Sequence, residues 1–214
     1  ASACAATSHG RGPEASMELI AHRRNTLAEL ADTPHHLGVE VDIRSQGTRL
    51  VIHHDPFEAG EDFDHWIDAY QHGTLILNVK EEGLEIACLE RMARRGIERF
   101  FFLDQSFPFL MRTARAGQRR CAVRVSEYES VETALSLRGQ IDWVWVDCFT
   151  RLALTRAEHD RLRDAGFKLC LVSPELQGRL GEDEIPAMAA LAKRDGLTFD
   201  AVCTKRPDLW GAHQ

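Results

Sequence analysis

Short apolar runs alternate along the chain with longer segments in which apolar residues recur every three or four positions. The runs are rich in Val, Ile, Leu and Phe, as buried parallel strands are, and the longer segments have the periodicity of amphipathic helices. The pattern predicts strands at 17–23, 38–55 (with a returning extension), 74–80, 99–104, 121–126, 143–148, 168–173 and 201–205, separated by helices at 26–31, 62–70, 84–95, 107–116, 131–137, 155–166 and 185–194.

This alternation predicts the fold class. Repeated β/α units require a parallel sheet, and eight of them in 214 residues favour a closed (β/α)8 TIM barrel, an α/β fold, over an open sheet. An open dinucleotide-binding sheet would have a GxGxxG turn after its first strand, and the sequence has none there. We therefore expect one catalytic domain with compact loops over 17–214, preceded at 1–16 by a flexible tail or a cloning remnant.

Composition narrows the possible functions. Hydrophobic residues make up 44% of the chain, which is enough for one core, and no apolar run is long enough to span a bilayer. The formal net charge of −7 and the absence of a basic tract argue against nucleic acid as a partner. The six cysteines are scattered without a CxxC pair, which predicts reduced thiols and a cytoplasmic protein.

Two carboxylates share one face of the second predicted strand. Because side chains alternate along a strand, Glu40 and Asp42 lie on the same face as Arg44. Carboxylates this close repel each other unless a cation lies between them, and hard divalent cations take oxygen ligands. The alternative is the solvated face of an edge strand, which is the commoner setting for such a pair taken alone.

Other predicted strands also end in polar side chains, and in a barrel these ends meet at the active-site face. Basic groups near a candidate cation site favour an anionic phosphate substrate. Arg124 is interpreted either as a phosphate contact or as the partner of Asp147 or Glu40, and Trp145 as core or as an apolar wall of the pocket. The strand ends carry His22, Arg23, His54, Asn78, Lys80, Asp104, Arg124, Trp145, Asp147, Lys205 and Arg206.

Three motifs in fixed order carry a family resemblance. They are Ile-Ala-His22-Arg23, then Gly-Val-Glu40-Val-Asp42-Ile-Arg, then Val-Ile-His-His54-Asp55-Pro. Together with the closing segment 200–209, they resemble the signature of the glycerophosphodiester phosphodiesterase family. That family uses a metal-dependent (β/α)8 barrel related to phosphatidylinositol-specific phospholipase C and sphingomyelinase D.

The resemblance implies a site and a reaction. His22 and His54 would be the acid/base pair, Glu40 and Asp42 would hold Mg²⁺ or Ca²⁺, and a small-molecule or polymer phosphodiester would be hydrolysed to an alcohol and a phosphomonoester. Asn78 would be the third metal ligand, where the family usually has glutamate, so the metal would bind more weakly. The expected substrate contacts are Arg23, Lys80, Arg124, Trp145 and Lys205.

Two further functions stay open on the sequence. A neighbouring substrate hydroxyl as nucleophile would make the protein a phospholipase-like lyase that forms a cyclic phosphate. Loss of the metal site, to which Asn78 points, would make it a non-catalytic barrel that binds phosphate ligands. The short loop after His22 and Arg23, where the family usually has an insertion, leaves the mouth of the barrel more open and puts the usual substrate class in question.

Overall fold

The computed structural model describes residues 16–213, so the expected tail lies outside the described residues except for Ser16. Strands and helices alternate as the sequence predicts. In chain order they are β1 (Glu18–Ala21), α1 (Leu27–Ala31), β2 (Gly38–Gln46), β3 (Arg49–Ile52), β4 (Glu61–Asp62), α2 (Phe63–Asp68), β5 (Leu75–Val79), α3 (Glu85–Arg95), β6 (Phe100–Leu103), α4 (Phe107–Arg115), β7 (Ala122–Val125), α5 (Val131–Ser136), β8 (Trp143–Val146), α6 (Arg156–Asp164), β9 (Lys168–Val172), a 3-10 helix (Pro174–Gln177), α7 (Glu184–Arg194), β10 (Ala201–Thr204) and α8 (Pro207–Gly211).

The eight parallel strands form a curled sheet. Neighbours follow the order β1, β2, β5, β6, β7, β8, β9 and β10, and β10 pairs in turn with β1. Seven of these junctions are hydrogen-bonded ladders, whereas β6 meets β7 only through an isolated bridge between Phe102 and Cys121. In this bridge the amide of Phe102 donates to Arg120 O (2.9 Å), whereas the carbonyl of Cys121 accepts from the Trp143 amide of β8 (3.2 Å). The α/β barrel-like architecture is confirmed, but a completely paired closed barrel is not shown.

An antiparallel extension brings the chain back to the carboxyl end of β2. Strand β3 pairs with the far half of β2, and Ile43 lies opposite Ile52. The amide of His53 then donates to the carbonyl of Asp42 (3.0 Å). His54 thereby follows directly on a residue paired with β2, although it lies 12 residues beyond Asp42 in the chain. The returning extension is confirmed; β4, the 3-10 helix and α8 were not foreseen.

The inside of the curled sheet is apolar at one end and polar at the other. Rings of Phe101 and Trp143 stack at 4.5 Å near its amino end. Towards the carboxyl end the inward positions become polar. The apolar interior cluster consists of Ile20, Ile76, Phe101, Leu103, Ala122, Trp143, Trp145, Cys170, Val172, Ala201 and Cys203.

Helix termini follow the predicted local rules. Gly96 ends α3 with a left-handed φ of 65°, and Thr155 begins α6 with a capping box to Glu158. Five cysteines in the described range are free and buried. Within residues 16–213, no helix combines the length and the apolar character needed to cross a bilayer.

Candidate functional site

Three polar side chains meet at the carboxyl ends of β2 and β5. Asp42 is the register partner of Asn78, and Glu40 lies two positions earlier on the same face. All three side chains are buried, with relative exposures of 1% for Glu40, 0% for Asp42 and 6% for Asn78. The commoner alternative for the acid pair, a solvated edge-strand face, is therefore wrong.

Glu40 lies among hydrogen-bond donors. Its Oε1 accepts from Asn78 Nδ2 (2.9 Å), and its Oε2 accepts from the Arg23 amide (2.8 Å). His22 Nε2 is 3.7 Å from the same Oε2. Burial and the nearby charge of Asp42 raise the pKa of Glu40 to about 7. Burial, together with the charge of Arg23, lowers the pKa of His22 to about 3, so the contact between His22 and Glu40 is not a salt bridge at neutral pH.

A left-handed turn after β1 brings residues 23–25 onto β2. Arg23 has a φ of 51°, a conformation that is uncommon outside glycine and directs its amide at Glu40. Asn25 then pairs twice with Asp42: its Nδ2 donates to Oδ2 (2.9 Å), and its Oδ1 accepts from the Asp42 amide (3.1 Å). Sequence reasoning did not give Asn25 a role, and its position three residues after His22 was the available signal.

Two cationic side chains flank Asp42. Lys80 Nζ is 3.2 Å from Asp42 Oδ1, and Arg23 Nε is 3.5 Å from Asp42 Oδ2. Lys80 also lies 3.4 Å from Asp104 Oδ2. The structure thus brings His22, Arg23, Glu40, Asp42, Asn78 and Lys80 into one cluster.

His54 belongs to the same end of the sheet but has its own partner. Its Nδ1 lies 2.7 Å from Asp55 Oδ1, and its carbonyl accepts two hydrogen bonds from Arg44 (2.8 and 3.1 Å). The hydrogen bond from His54 lowers the pKa of Asp55. An imidazole held through Nδ1 presents Nε2 to its surroundings, as a proton-transfer group requires.

The three other residues expected to contact substrate lie in different environments. Arg124 pairs with Asp104 and with Asp147 (3.0 Å to Oδ2), which supports the ion-pair alternative for this residue. Trp145 is 5% exposed inside the apolar cluster, which supports its interpretation as core. Lys205 is exposed, and its charge contributes to the lowered pKa of His22. Asp104 lies between Lys80 and Arg124 and forms an ion pair with each. The sequence alone did not reveal this position.

The cluster has oxygen donors for a hard cation. Within residues 16–213, no three His, Cys, Asp or Glu side chains are grouped as metal ligands. Asn78 nevertheless adds an amide oxygen to the two carboxylates. Its Oδ1 and Asp42 Oδ1 are both buried, and neither accepts a hydrogen bond from the described part of the chain. Two carboxylates and an orphaned amide oxygen suit Mg²⁺ or Ca²⁺ chemically.

Comparison with known proteins gives a fold match without a sequence match. No protein-family model matches the chain, and no curated protein does. A glycerophosphodiester phosphodiesterase from Agrobacterium tumefaciens superposes with a TM-score of 0.61 at 15% identity, over 92% of this chain and 98% of that one. A glycerophosphoryl diester phosphodiesterase from Parabacteroides distasonis gives a TM-score of 0.66 at 14% identity, over 94% and 87%.

The chain shares the fold of glycerophosphodiester phosphodiesterases. These are structures of the family that the motifs resemble. A tryptophan synthase α-subunit from Pyrococcus furiosus also matches, with a TM-score of 0.52 at 13% identity over 87% of this chain and 86% of that one. Because one fold serves both activities, the function has to be argued from the site.

Proposed function

We propose that this protein is a metal-dependent phosphodiesterase that hydrolyses a glycerophosphodiester-type substrate to an alcohol and a phosphomonoester. The observation that carries the proposal is the cluster of His22, Glu40, Asp42 and Lys80 at the carboxyl end of a parallel sheet. His54 follows His53, whose amide donates to Asp42 O at the same end. Active sites of barrel enzymes lie at this end. The fold shared with two phosphodiesterases supports the same interpretation.

Charge neutralisation is the first requirement, because a phosphodiester is an anion that repels nucleophiles. Arg23 and Lys80 lie on opposite oxygens of Asp42, and Lys205 adds a third positive charge near His22. The phosphate binds next to these groups. Arg124 contributes less to neutralising the phosphate, because its guanidinium already pairs with Asp104 and Asp147.

Proton transfer falls to the two imidazoles. One histidine accepts the proton of the nucleophile, and the other protonates the leaving alkoxide. Asp55 orients the ring of His54 through Nδ1. The backbone amide of His22 donates to Thr204 O (2.9 Å), and the Nε2 atom of its ring lies 3.7 Å from Glu40 Oε2.

A divalent cation would be held by Glu40, Asp42 and Asn78. When bound, such an ion polarises a phosphoryl oxygen and stabilises the charge that develops there. Asn25, by fixing both the amide and the carboxylate of Asp42, keeps that ligand oriented in the absence of the ion.

Turnover of a chromogenic phosphodiester and of a glycerophosphodiester, with Mg²⁺ or Ca²⁺ and with a chelator, tests the proposal. We expect metal-dependent turnover that falls by about 100-fold or more in His22→Ala and in His54→Ala. His36→Ala, a change of an exposed histidine away from the site, is the matched control and keeps wild-type turnover. Near-normal turnover in either site variant would contradict the mechanism. Phosphorus NMR of the product separates hydrolysis from release of a cyclic phosphate.

A second candidate function, a phosphate-binding barrel without catalysis, is favoured by one observation. Every oxygen of Glu40 and Asp42 already faces a donor or cation of this chain: Asn78, Arg23, Asn25 or Lys80. Such a network is stable without a metal ion. Binding of a phosphodiester without turnover at any divalent metal would favour this candidate.

A further inference from the structure

Exposed apolar side chains gather at one end of the molecule. Within residues 16–213, five large hydrophobic residues are exposed, with relative exposures from 48% to 104%. Single exposed apolar residues are ordinary, but their confinement to one face is not. They are Phe57, Ile86, Phe107, Tyr128 and Leu180.

Four of the five follow the carboxyl end of a parallel strand. Ile86 and Phe107 lie in the first turns of α3 and α4, Tyr128 lies between β7 and α5, and Leu180 lies between β9 and α7. Phe57 follows the antiparallel strand β3 and lies in a loop that starts beside the carboxyl half of β2, where the His53 amide donates to Asp42 O (3.0 Å). We call these five residues the mouth rim. The loops at the opposite end, within the described range, carry no exposed large hydrophobic residue.

Phe57 is the most conspicuous member of the mouth rim. Its side chain is fully exposed at 104%, and its backbone has a φ of 68°, which is unusual for an aromatic residue. It lies three residues after His54, a proposed catalytic residue. Within the described residues, this large apolar ring is therefore left in contact with water, an arrangement that burial in an apolar phase would relieve.

The charges of the protein and of the site indicate which kind of lipid surface the mouth rim would bind. The net charge of −7 disfavours an anionic membrane. A cavity of about 330 Å³ opens next to Lys80 and is lined by Glu81, Glu82, Glu85 and Asp104. A basic group next to a carboxylate-lined cavity complements a phosphate that is followed by an ammonium group, as in a zwitterionic phospholipid headgroup.

We propose that the mouth rim docks on a surface of zwitterionic phospholipid and presents a headgroup phosphodiester to the site. The substrate part of this inference rests on the proposed function. The reaction would consume one water molecule: its oxygen joins phosphorus, one P–O bond to an alcohol breaks, and the leaving alkoxide takes the proton. Docking itself needs no turnover.

Flotation with phosphatidylcholine vesicles tests the docking. We expect wild-type protein to float with the vesicles. The double variant Phe57→Ser and Leu180→Ser should bind them at least about tenfold more weakly, because two apolar side chains no longer enter the lipid. Both positions are exposed, so the fold is preserved. Turnover of a soluble chromogenic phosphodiester stays unchanged in this variant.

A fluorescent reporter gives a second measurement. The four tryptophans are buried, so Phe57→Trp places one exposed indole in the mouth rim. Its emission should shift to the blue when phosphatidylcholine vesicles are added. Ala116→Trp, at an exposed position at the opposite end of the sheet, is the matched control and should not shift.

The outcomes separate the two proposals. Absence of wild-type vesicle binding, or equal binding by the rim variant, overturns the docking proposal even if soluble diesters are cleaved. Vesicle binding without cleavage of any diester supports docking and contradicts the phosphodiesterase. Rim-dependent dimerisation in solution, with no vesicle binding, would assign the mouth rim to a second copy of the chain instead.

Discussion

Asn78 decides the charge of the site. Its amide donates to Glu40 (2.9 Å), while its Oδ1 stays without a hydrogen bond from residues 16–213. A carboxylate at this position would face Glu40 and Asp42 at close range. The amide therefore lowers the electrostatic cost of the cluster in the absence of metal and weakens it as a cation site.

The isosteric substitution Asn78→Asp tests this balance. Without metal it should destabilise the fold by roughly 2–4 kcal/mol, because a buried donor is replaced by a third carboxylate. With Mg²⁺ this loss of stability should become smaller, because the folded variant binds the ion more tightly than folded wild type does. Urea unfolding with chelator and with Mg²⁺ measures both effects.

Asn78→Ala is the matched control for that experiment. It removes the amide without adding charge, so its stability should not respond to Mg²⁺ more than the stability of wild type does. If Asn78→Asp were as stable as wild type with chelator and showed no metal response, the side chain would not belong to a cation site.

Residue types were easier to predict than their partners. His22, Glu40 and Asp42 are predicted as site residues because acids and imidazoles at strand ends form a local pattern. The pairing of Asn25 with Asp42, and that of Arg124 with both Asp104 and Asp147, depends on loop paths and on register across strands. Such contacts are set by tertiary packing, which no local pattern encodes.

At the scale of elements, one carboxylate holds two loops together. Glu127, in the loop after β7, accepts hydrogen bonds from the amides of Phe149, Thr150 and Arg151 in the loop after β8. Burial raises the pKa of Glu127, but the hydrogen bonds from Thr150 and Arg151 outweigh it and lower the pKa to about 2. The ionised carboxylate therefore stabilises this part of the mouth.

The pH dependence of that contribution follows from its sign. A carboxyl whose folded-state pKa is lowered contributes stability that is fully present above the unfolded pKa, about 4.3, and is lost as the pH falls through the folded value of about 2. The stability difference between wild type and Glu127→Gln should follow this course in urea unfolding from neutral to acid pH. Glu182→Gln, at an exposed glutamate of another loop, is the control. A stability difference between wild type and Glu127→Gln that does not depend on pH would contradict the role of the ionised Glu127 carboxylate.

Elements with strong local signals were predicted well, and those that depend on packing were not. The capping box at Thr155 and the glycine stop at Gly96 are encoded within a few residues. Strand β4 has only two residues, and α8 has five, so neither has a periodicity to detect. Both exist because the chain around them is held by the sheet.

For the whole molecule, the weakest point of the curled sheet is the junction between β6 and β7. One bridge, at Phe102 and Cys121, replaces the ladder found at the other parallel junctions. Side chains span the same gap. Asp104 directly follows β6, Arg124 lies on β7, and the two form an ion pair across the junction. We infer that this pair supports the closure that the backbone leaves incomplete.

Local opening at this junction should therefore depend on Arg124. Arg124→Met keeps most of the apolar stem but leaves the buried Asp147 without its cation and breaks the pair with Asp104, which keeps Lys80. Amides of β6 and β7, that of Phe102 above all, should therefore exchange hydrogen faster than in wild type. Amides of β1 and β10, which share a four-residue register, should keep their protection. Arg119→Met, which breaks the more exposed pair with Asp142, is the control and should change little. Equal exchange at Phe102 in Arg124→Met and wild type would mean that the apolar interior, and not the ion pair, holds the sheet closed.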